Sequence, residues 1–330
     1  TYQGTAQGAA ITTGAGADKV VFQDLASGLA TISTNSGNDS IEFLKAGYVI
    51  TQADLGAGND SIYAANVLAG QGSVSAGAGA DTFLISTLSN TAIYGGGDRD
   101  SISISGSLYG ATVDFGAGNE QFTLSVGATA SNVQGGTGND TFVVKSEKLL
   151  TNSSIAGGAG NDSVSFGAVL SGSSIVGGND QDTLRFAAGV NNNAIVSGDA
   201  GSDLLLFSST VATAGVYGGA GADSMVFAGA ISNSTIDFGA DNDTVTFTVG
   251  ATSSTIIGGA GADTLVFNTG ATLKNTSVNA SGGNDYLSFS AAVFSTSTVA
   301  GGAADDTFVF QTSLAGAAIS LGAGNDSVSF

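Results

Sequence analysis

The feature that most constrains this chain is a short phrase of residues that returns about every twenty positions from its beginning to its end. At Gly258–Phe267 the phrase reads GGAGADTLVF: glycines alternating with small residues, an acid, then apolar residues at every second position. Aligning the chain on the acid gives Asp18, Asp39, Asp60, Asp81, Asp100, Glu120, Asp140, Asp162, Asp182, Asp203, Asp223, Asp243, Asp263, Asp285, Asp306 and Asp326. These sixteen positions are separated by 19 to 22 residues, and only one of them is Glu. Such self-similarity is the signature of a solenoid, in which a repeat cannot bury its own apolar face and borrows its core from the repeats beside it. An unbroken period over 330 residues reads as a single domain, 1–330, rather than the two that the length alone suggests.

The columns within the repeat define the coil. Two residues after the acid the side chain is apolar in all sixteen repeats, and four residues after it comes Phe in eleven, an aliphatic residue in four and Ala64 in the remaining one. Alternation with period two is a strand with one buried face. Seven residues before the acid stands Ile or Val in fifteen repeats, with Ala53 the exception, which marks a second strand. Between repeats lies a turn rich in Ser, Thr, Asn and Gly, with one apolar residue such as Leu108, Ile231 or Leu314 placed to plug the far end of the core. Each repeat is therefore expected to run strand, glycine-acid loop, strand, polar turn. Identical repeats stack in register and in parallel, and parallel crossovers are right-handed by strong default. The expectation is an all-β, right-handed parallel β-roll (β-solenoid) of about sixteen coils, roughly 75 Å long at one strand spacing per coil. Phe166 through Phe330 should stack in a column.

Composition narrows the chemistry. Zero Cys and zero His remove thiolate sites, disulfides, the commonest transition-metal ligand and the commonest general base. A net charge of −20 disfavours nucleic acid and anionic lipid, and no segment is apolar for long enough to span a bilayer. The 52 glycines come without proline or a period of three, so the chain is not collagen-like. The absence of an initiator Met and an ending at Phe330 in mid-repeat suggest part of a longer solenoid.

The acids are not scattered. Of 27, the sixteen repeat acids and Asp54, Asp98, Asp114, Asp180, Asp199, Asp237, Asp241 and Asp305 fall in the seven residues that end at the repeat acid, leaving Asp24, Glu42 and Glu147 elsewhere. Turn chemistry explains the Gly and Asn of this stretch. It does not explain an acid kept in every repeat, since two charges one strand spacing apart cost about 0.9 kcal/mol in water and about 3.5 at an effective dielectric of 20. An acidic edge beside glycine carbonyls suits a hard divalent ion, and Ca2+, which accepts six to eight oxygens in flexible geometry, fits better than Mg2+. Candidate ligands are the sixteen acids, Asp98, Asp180 and Asp241, which stand where other repeats have glycine, and glycine positions such as Gly136, Gly138, Gly219, Gly221, Gly259 and Gly261. Glu120 is a methylene too long for a tight loop, and Asn35 and Ala304 replace motif glycines, so those gaps look poorer. The polar turn offers no matching acids, so the far edge is expected to be free of ions.

The phrase resembles the haemolysin-type (RTX) calcium-binding repeats of secreted bacterial toxins and proteases, whose nonapeptide GGxGxDxUx matches GGAGADTLV at Gly258–Val266 and, nearly as well, GGTGNDTFV at Gly135–Val143. The resemblance covers the whole chain but occurs once per coil, where that family carries the motif twice in eighteen residues. It implies Ca2+ ions held between successive loops along one edge by Asp carboxylates and glycine carbonyls.

Long cysteine-free rolls of this kind also resemble cyanobacterial surface-layer and fibril proteins. That resemblance implies an extracellular, non-enzymatic structural role in a surface layer, sheath or filament, with self-association as the partner, surface polysaccharide as a further one, and no membrane insertion. The alternative is a non-catalytic calcium-binding module of a larger secreted toxin, protease or adhesin. Ice binding would need an outward Thr-x-Thr ladder, and only Thr244-Thr246-Thr248 resembles one.

Overall fold

In the computed structural model, residues 10–23, 30–45, 48–145, 148–294 and 296–330 are described; Asp24 and Glu147 lie outside them. The chain forms two units, Thr1–Val164 and Ser165–Phe330, built on one plan: a parallel β-solenoid whose 43 strands include no helix among the described residues.

The coil around Asp243 illustrates the plan in the second unit. Thr235–Ala240 pairs in parallel with Gly215–Ala220 and Thr255–Ala260, and Thr244–Phe247 with Ser224–Phe227 and Thr264–Phe267. Alternation along each strand sends Ile236 and Phe238, and then Val245 and Phe247, into the core. Two departures from expectation appear here. The glycine stretch is largely strand, because Gly239 and Ala240 belong to it, so the loop shrinks to Asp241–Asp243. The polar turn carries a third short strand, Ala251–Thr252, paired with Ile231–Ser232 and Leu273–Lys274. The apolar plug of the turn supplies its inward side chain: Leu108 and Ile231 are buried.

Glycine four residues before the acid is required by the stacking itself. Gly239 and Gly259 have φ of 109° and 106°, and a Cβ on Gly259 would fall on the carbonyl of Gly239, well under 3.0 Å away. Residues that replace glycine four before the acid (Asn35, Asp199, Ser281) or two before it (Asp98, Asp180, Asp241, Ala304) keep the positive φ, at 66° to 83°. Asn and Asp tolerate that region best, which accounts for five of these seven residues.

The core columns form as expected. The Ile/Val column is fully buried from Ile32 to Val299, with Ala53 in its line. Within the second unit, Phe166, Phe186, Phe207, Phe227, Phe247, Phe267, Phe289 and Phe310 stack with ring centroids 4.6 to 5.4 Å apart and planes within 10° of parallel, and Phe330 extends the stack at 5.7 Å. Offset stacking at this spacing is favourable beyond the area it buries.

Candidate metal centre

Each repeat acid follows the sharp turn at the end of the glycine strand, and the turn aims its side chain into the coil. From Asp39 to Asp306 the acids are 0 to 2% exposed, so the ladder is a buried column. One carboxylate oxygen has a structural task. The backbone N–H of Asp81 donates to Oδ1 of Asp100 at 2.8 Å, that of Asp203 to Asp223 at 2.8 Å and that of Asp243 to Asp263 at 2.9 Å, and so on along each unit. Each of these acids thus reaches back and satisfies an amide of the coil before it. Glu120 joins the ladder despite its length: the N–H of Asp100 donates to its Oε2 at 2.6 Å, and Gly118, which has no side chain, leaves room for its Oε1. Its extra methylene is accommodated there.

The second oxygen is different. Oδ2 of Asp39, Asp60, Asp81, Asp100, Asp140, Asp203, Asp223, Asp243, Asp263, Asp285 and Asp306, and Oε1 of Glu120, are buried with no hydrogen-bond partner. A buried polar oxygen without a donor costs about 1–3 kcal/mol, and more if charged. Repeated twelve times among the described residues, the cost is large.

The electrostatics follow. Burial, the largest influence, pushes Asp243 up to about 8, Asp100, Asp223, Asp285 and Glu120 to about 7, and Asp81 to about 6. The amide bonded to each carboxylate pulls the other way, and neighbouring acids push further up. Among those neighbours are two exposed replacements of glycine: Asp98 acts on Asp81, Asp100 and Glu120, and Asp241 acts on Asp223 and Asp243. Asp180 is likewise exposed, next to the loop of Asp182.

Two further ladders were not read from the sequence. Asn one residue before the acid reaches forward: its Oδ1 accepts the N–H of the same position in the next coil, as from Asn139 to Asn161 at 2.8 Å and from Asn242 to Ala262 at 2.7 Å. The recurrence of Asn-Asp was the available signal. On the opposite edge a buried hydroxyl ladder closes the polar turn. The N–H of Ala214 donates to Ser234 Oγ at 3.1 Å, and that hydroxyl donates to the Ser232 carbonyl at 2.8 Å. A hydroxyl both accepts and donates, so this ladder is satisfied by protein alone, while a carboxylate can only accept.

The donor set suits a hard cation: carboxylate oxygens with no donor, in coils whose loops also stack glycines of positive φ, among them Gly136, Gly138, Gly219, Gly221, Gly259 and Gly261. The acids come one per coil, and among the described residues no three Asp or Glu side chains converge as a cluster that could hold a metal. Any ion here would take most of its ligands from the backbone.

No protein-family model matches this chain, and no curated protein does. Among solved structures the chain is similar to a hyperactive, Ca2+-dependent, β-helical antifreeze protein from an Antarctic bacterium, at 19% identity and a TM-score of 0.43, over 96% of this chain and 81% of that one.

Proposed function

We propose that this chain is a calcium-stabilised structural solenoid that works outside the cell, as a building element of a surface layer, sheath or filament, and that it is not an enzyme. The observation that carries the reading is the column of buried carboxylate oxygens without donors. A divalent cation compensates them, and Ca2+ accepts carbonyls and carboxylates in irregular geometry where Mg2+ holds to an octahedron with its own waters. Calcium sites built mainly from neutral carbonyls are weak, and extracellular modules are the ones that work at about 10⁻⁴ to 10⁻³ M calcium. The structural reading follows from translation: the acids repeat by one coil at a time, and among the described residues no unique set of acid, base and nucleophile stands out. The resemblance to haemolysin-type repeats supports the same ion and the same compartment.

The outward face argues against an ice-binding surface. Thr244 and Thr246 lie in register with Ser224 and Val226 on one side and with Thr264 and Val266 on the other, so the Thr-x-Thr pair does not recur in the coils beside it.

The test is the far-UV circular dichroism and melting of the purified chain in millimolar calcium and in excess chelator. Calcium should raise the melting temperature steeply, and a chain equally folded and equally heat-stable in chelator would overturn the reading. Asp263→Asn sharpens it. The amide then supplies a donor at the position of the orphaned oxygen, so the variant should be more stable than the parent in chelator and gain less from calcium.

A further inference from the structure

On the outward face of the second unit, away from the acid ladder, one tyrosine lies across its own strand. Tyr217 follows Gly215 by two residues in the strand Gly215–Ala220, and of the seven tyrosines it alone has glycine at that place. Its Cε2, hydroxyl and Cζ come within 2.8, 2.8 and 3.1 Å of the point where a Cβ on Gly215 would stand, so any side chain there would push the ring away. The ring remains 37% exposed. Covering a strand glycine is a packing role in itself. Packing does not account for the cleft of about 320 Å3 beside the ring, which falls in the range of small-ligand sites.

The walls of this cleft come from three successive coils. Ile195 and Thr235 flank Gly215 in register, and Asn193, Thr213 and Asn233 close the end at the polar turn. No wall carries a charge. Asp237, beside Tyr217 in register, accepts the Gly239 N–H and stands outside the cleft.

Two features point to a ligand. At the same turn position, ten residues before the acid, Asn90 and Asn275 spend their amides on Ser89 and Ser253, at 3.2 and 3.1 Å. The side chains of Asn193, Thr213, Asn233 and Thr235 bond nothing among the described residues, and all four face the cleft. Thr213 is also strained: at φ 54° it is the only β-branched residue with positive φ among the described residues, at a position where other coils use Asn or Gly. Backbone strain of this kind collects at binding sites, and here it sets a hydroxyl in the wall.

We propose that the cleft beside Tyr217 binds one ring of a neutral sugar. The C–H face of a pyranose lies against the negative face of the phenol ring and against Ile195, while its hydroxyls meet the two amides and two hydroxyls, each able both to donate and to accept. A sugar bearing carboxylate, sulfate or phosphate finds no cation in these walls. The binding deepens the surface role proposed above and rests on that reading only for the source of the sugar, a polysaccharide of the surface; the cleft itself involves none of the ladder acids.

The experiment is saturation-transfer NMR and calorimetric titration of the full chain in millimolar calcium, with circular dichroism as the check on folding. The probes are neutral oligosaccharides of glucose, mannose, galactose and N-acetylglucosamine, and a uronic-acid oligosaccharide as the charged control. At least one neutral probe should bind and the charged one should not. Tyr217→Ala should weaken that binding about tenfold or more. Gly215→Thr should do the same with the fold intact, because Thr235 holds this place in the next coil. Thr213→Gly should relieve the strain, so that the melting temperature holds or rises while the sugar binds more weakly. Tyr286→Ala, at a tyrosine 40% exposed in the same unit, should leave binding unchanged. A folded chain that binds none of the neutral probes, a preference for the charged one, or a Tyr217→Ala variant that binds like the parent would each overturn the cleft assignment and leave the calcium reading untouched. A chain that binds sugar at Tyr217 but is equally stable in chelator would keep the cleft and overturn that reading instead.

Discussion

The two units solve the same core in different ways. In Ser165–Phe330 the position four residues after each acid is always Phe, and the rings form one continuous stack from Phe166 to Phe330. In Thr1–Val164 the stack lasts for one pair, Phe22 and Phe43 at 5.0 Å, and is followed by Ala64, Ile85, Ile104, Leu124 and Val144. The lost volume reappears in other columns, as Phe83, Phe122 and Phe142 two residues after the acid and Phe115 from the facing strand, with Phe115 set edge-on to Phe122 and Phe142 at 79° and 81°. Strand lengths follow the same contrast. The first unit contains long strands, Ser61–Ala69 and Thr82–Ser89, that merge two of the coil's segments, with a register shift between Ala64 and Val67. The second keeps three separate strands per coil. A column of identical rings holds its coils to one register; a core repacked coil by coil reaches similar burial and tolerates irregularity.

The acid ladder, by contrast, is common to both units, with buried carboxylate oxygens that lack a donor in each. The largest expected effect is therefore that chelation deprotects both. Amide hydrogen exchange of the intact chain should show a loss of protection in Thr244–Phe247 and in Ser40–Phe43 alike, and a loss confined to one unit would break that equivalence.

Next comes the stack. Phe227→Ala removes a ring held between Phe207 and Phe247 and should cost about 3–5 kcal/mol, whereas Ile104→Val in the repacked core should cost about 0.5–1.5. Denaturant melts in millimolar calcium read the difference.

A third expectation concerns pH. In chelator, acids held up to about 7 or 8 keep protons in the fold that an unfolded Asp releases near its ordinary value of 3.8. The folded state then binds more protons across that window, so stability is full below about pH 4 and falls as pH rises toward 8. Saturating calcium should reverse the slope, because ion binding needs the ionised carboxylate. Melting temperatures from pH 4 to 8, with and without calcium, would show the crossing; parallel curves would count against a shared site for proton and ion.

The smallest effect belongs to the outer Asn ladder. Asn139→Ala removes the acceptor for the Asn161 amide, in an exposed loop where water can replace it, and should cost about 0.5–1 kcal/mol. The same substitution at Asn242 in the second unit should cost no more.

Much of this molecule was decided by the residues in their order. The period sets which positions stack, so the Ile/Val column, the Phe stack and the identity of the ladder acids could be read directly, as could the positive φ taken by Asp98, Asp180 and Asp241 in place of glycine. Stacking alone does not say where a carboxylate points. That depends on the turn that brings the acid inward and on the amide of the neighbouring coil that receives its Oδ1, a contact between residues about twenty apart whose direction a linear pattern does not carry. The tertiary structure made the ladder a buried column, divided twelve of its carboxylates into a bonded oxygen and an orphaned one, and made the polar turn a self-sufficient hydroxyl ladder. It also gave meaning to glycine five residues before the acid: in sequence it is one more glycine in a glycine-rich phrase, while in the coil the acid's Oδ2 and a carbonyl of the next coil press within 3.0 Å of where a side chain would begin, as at Gly218 and Gly258, a crowding that exists only once the neighbouring coil is in place.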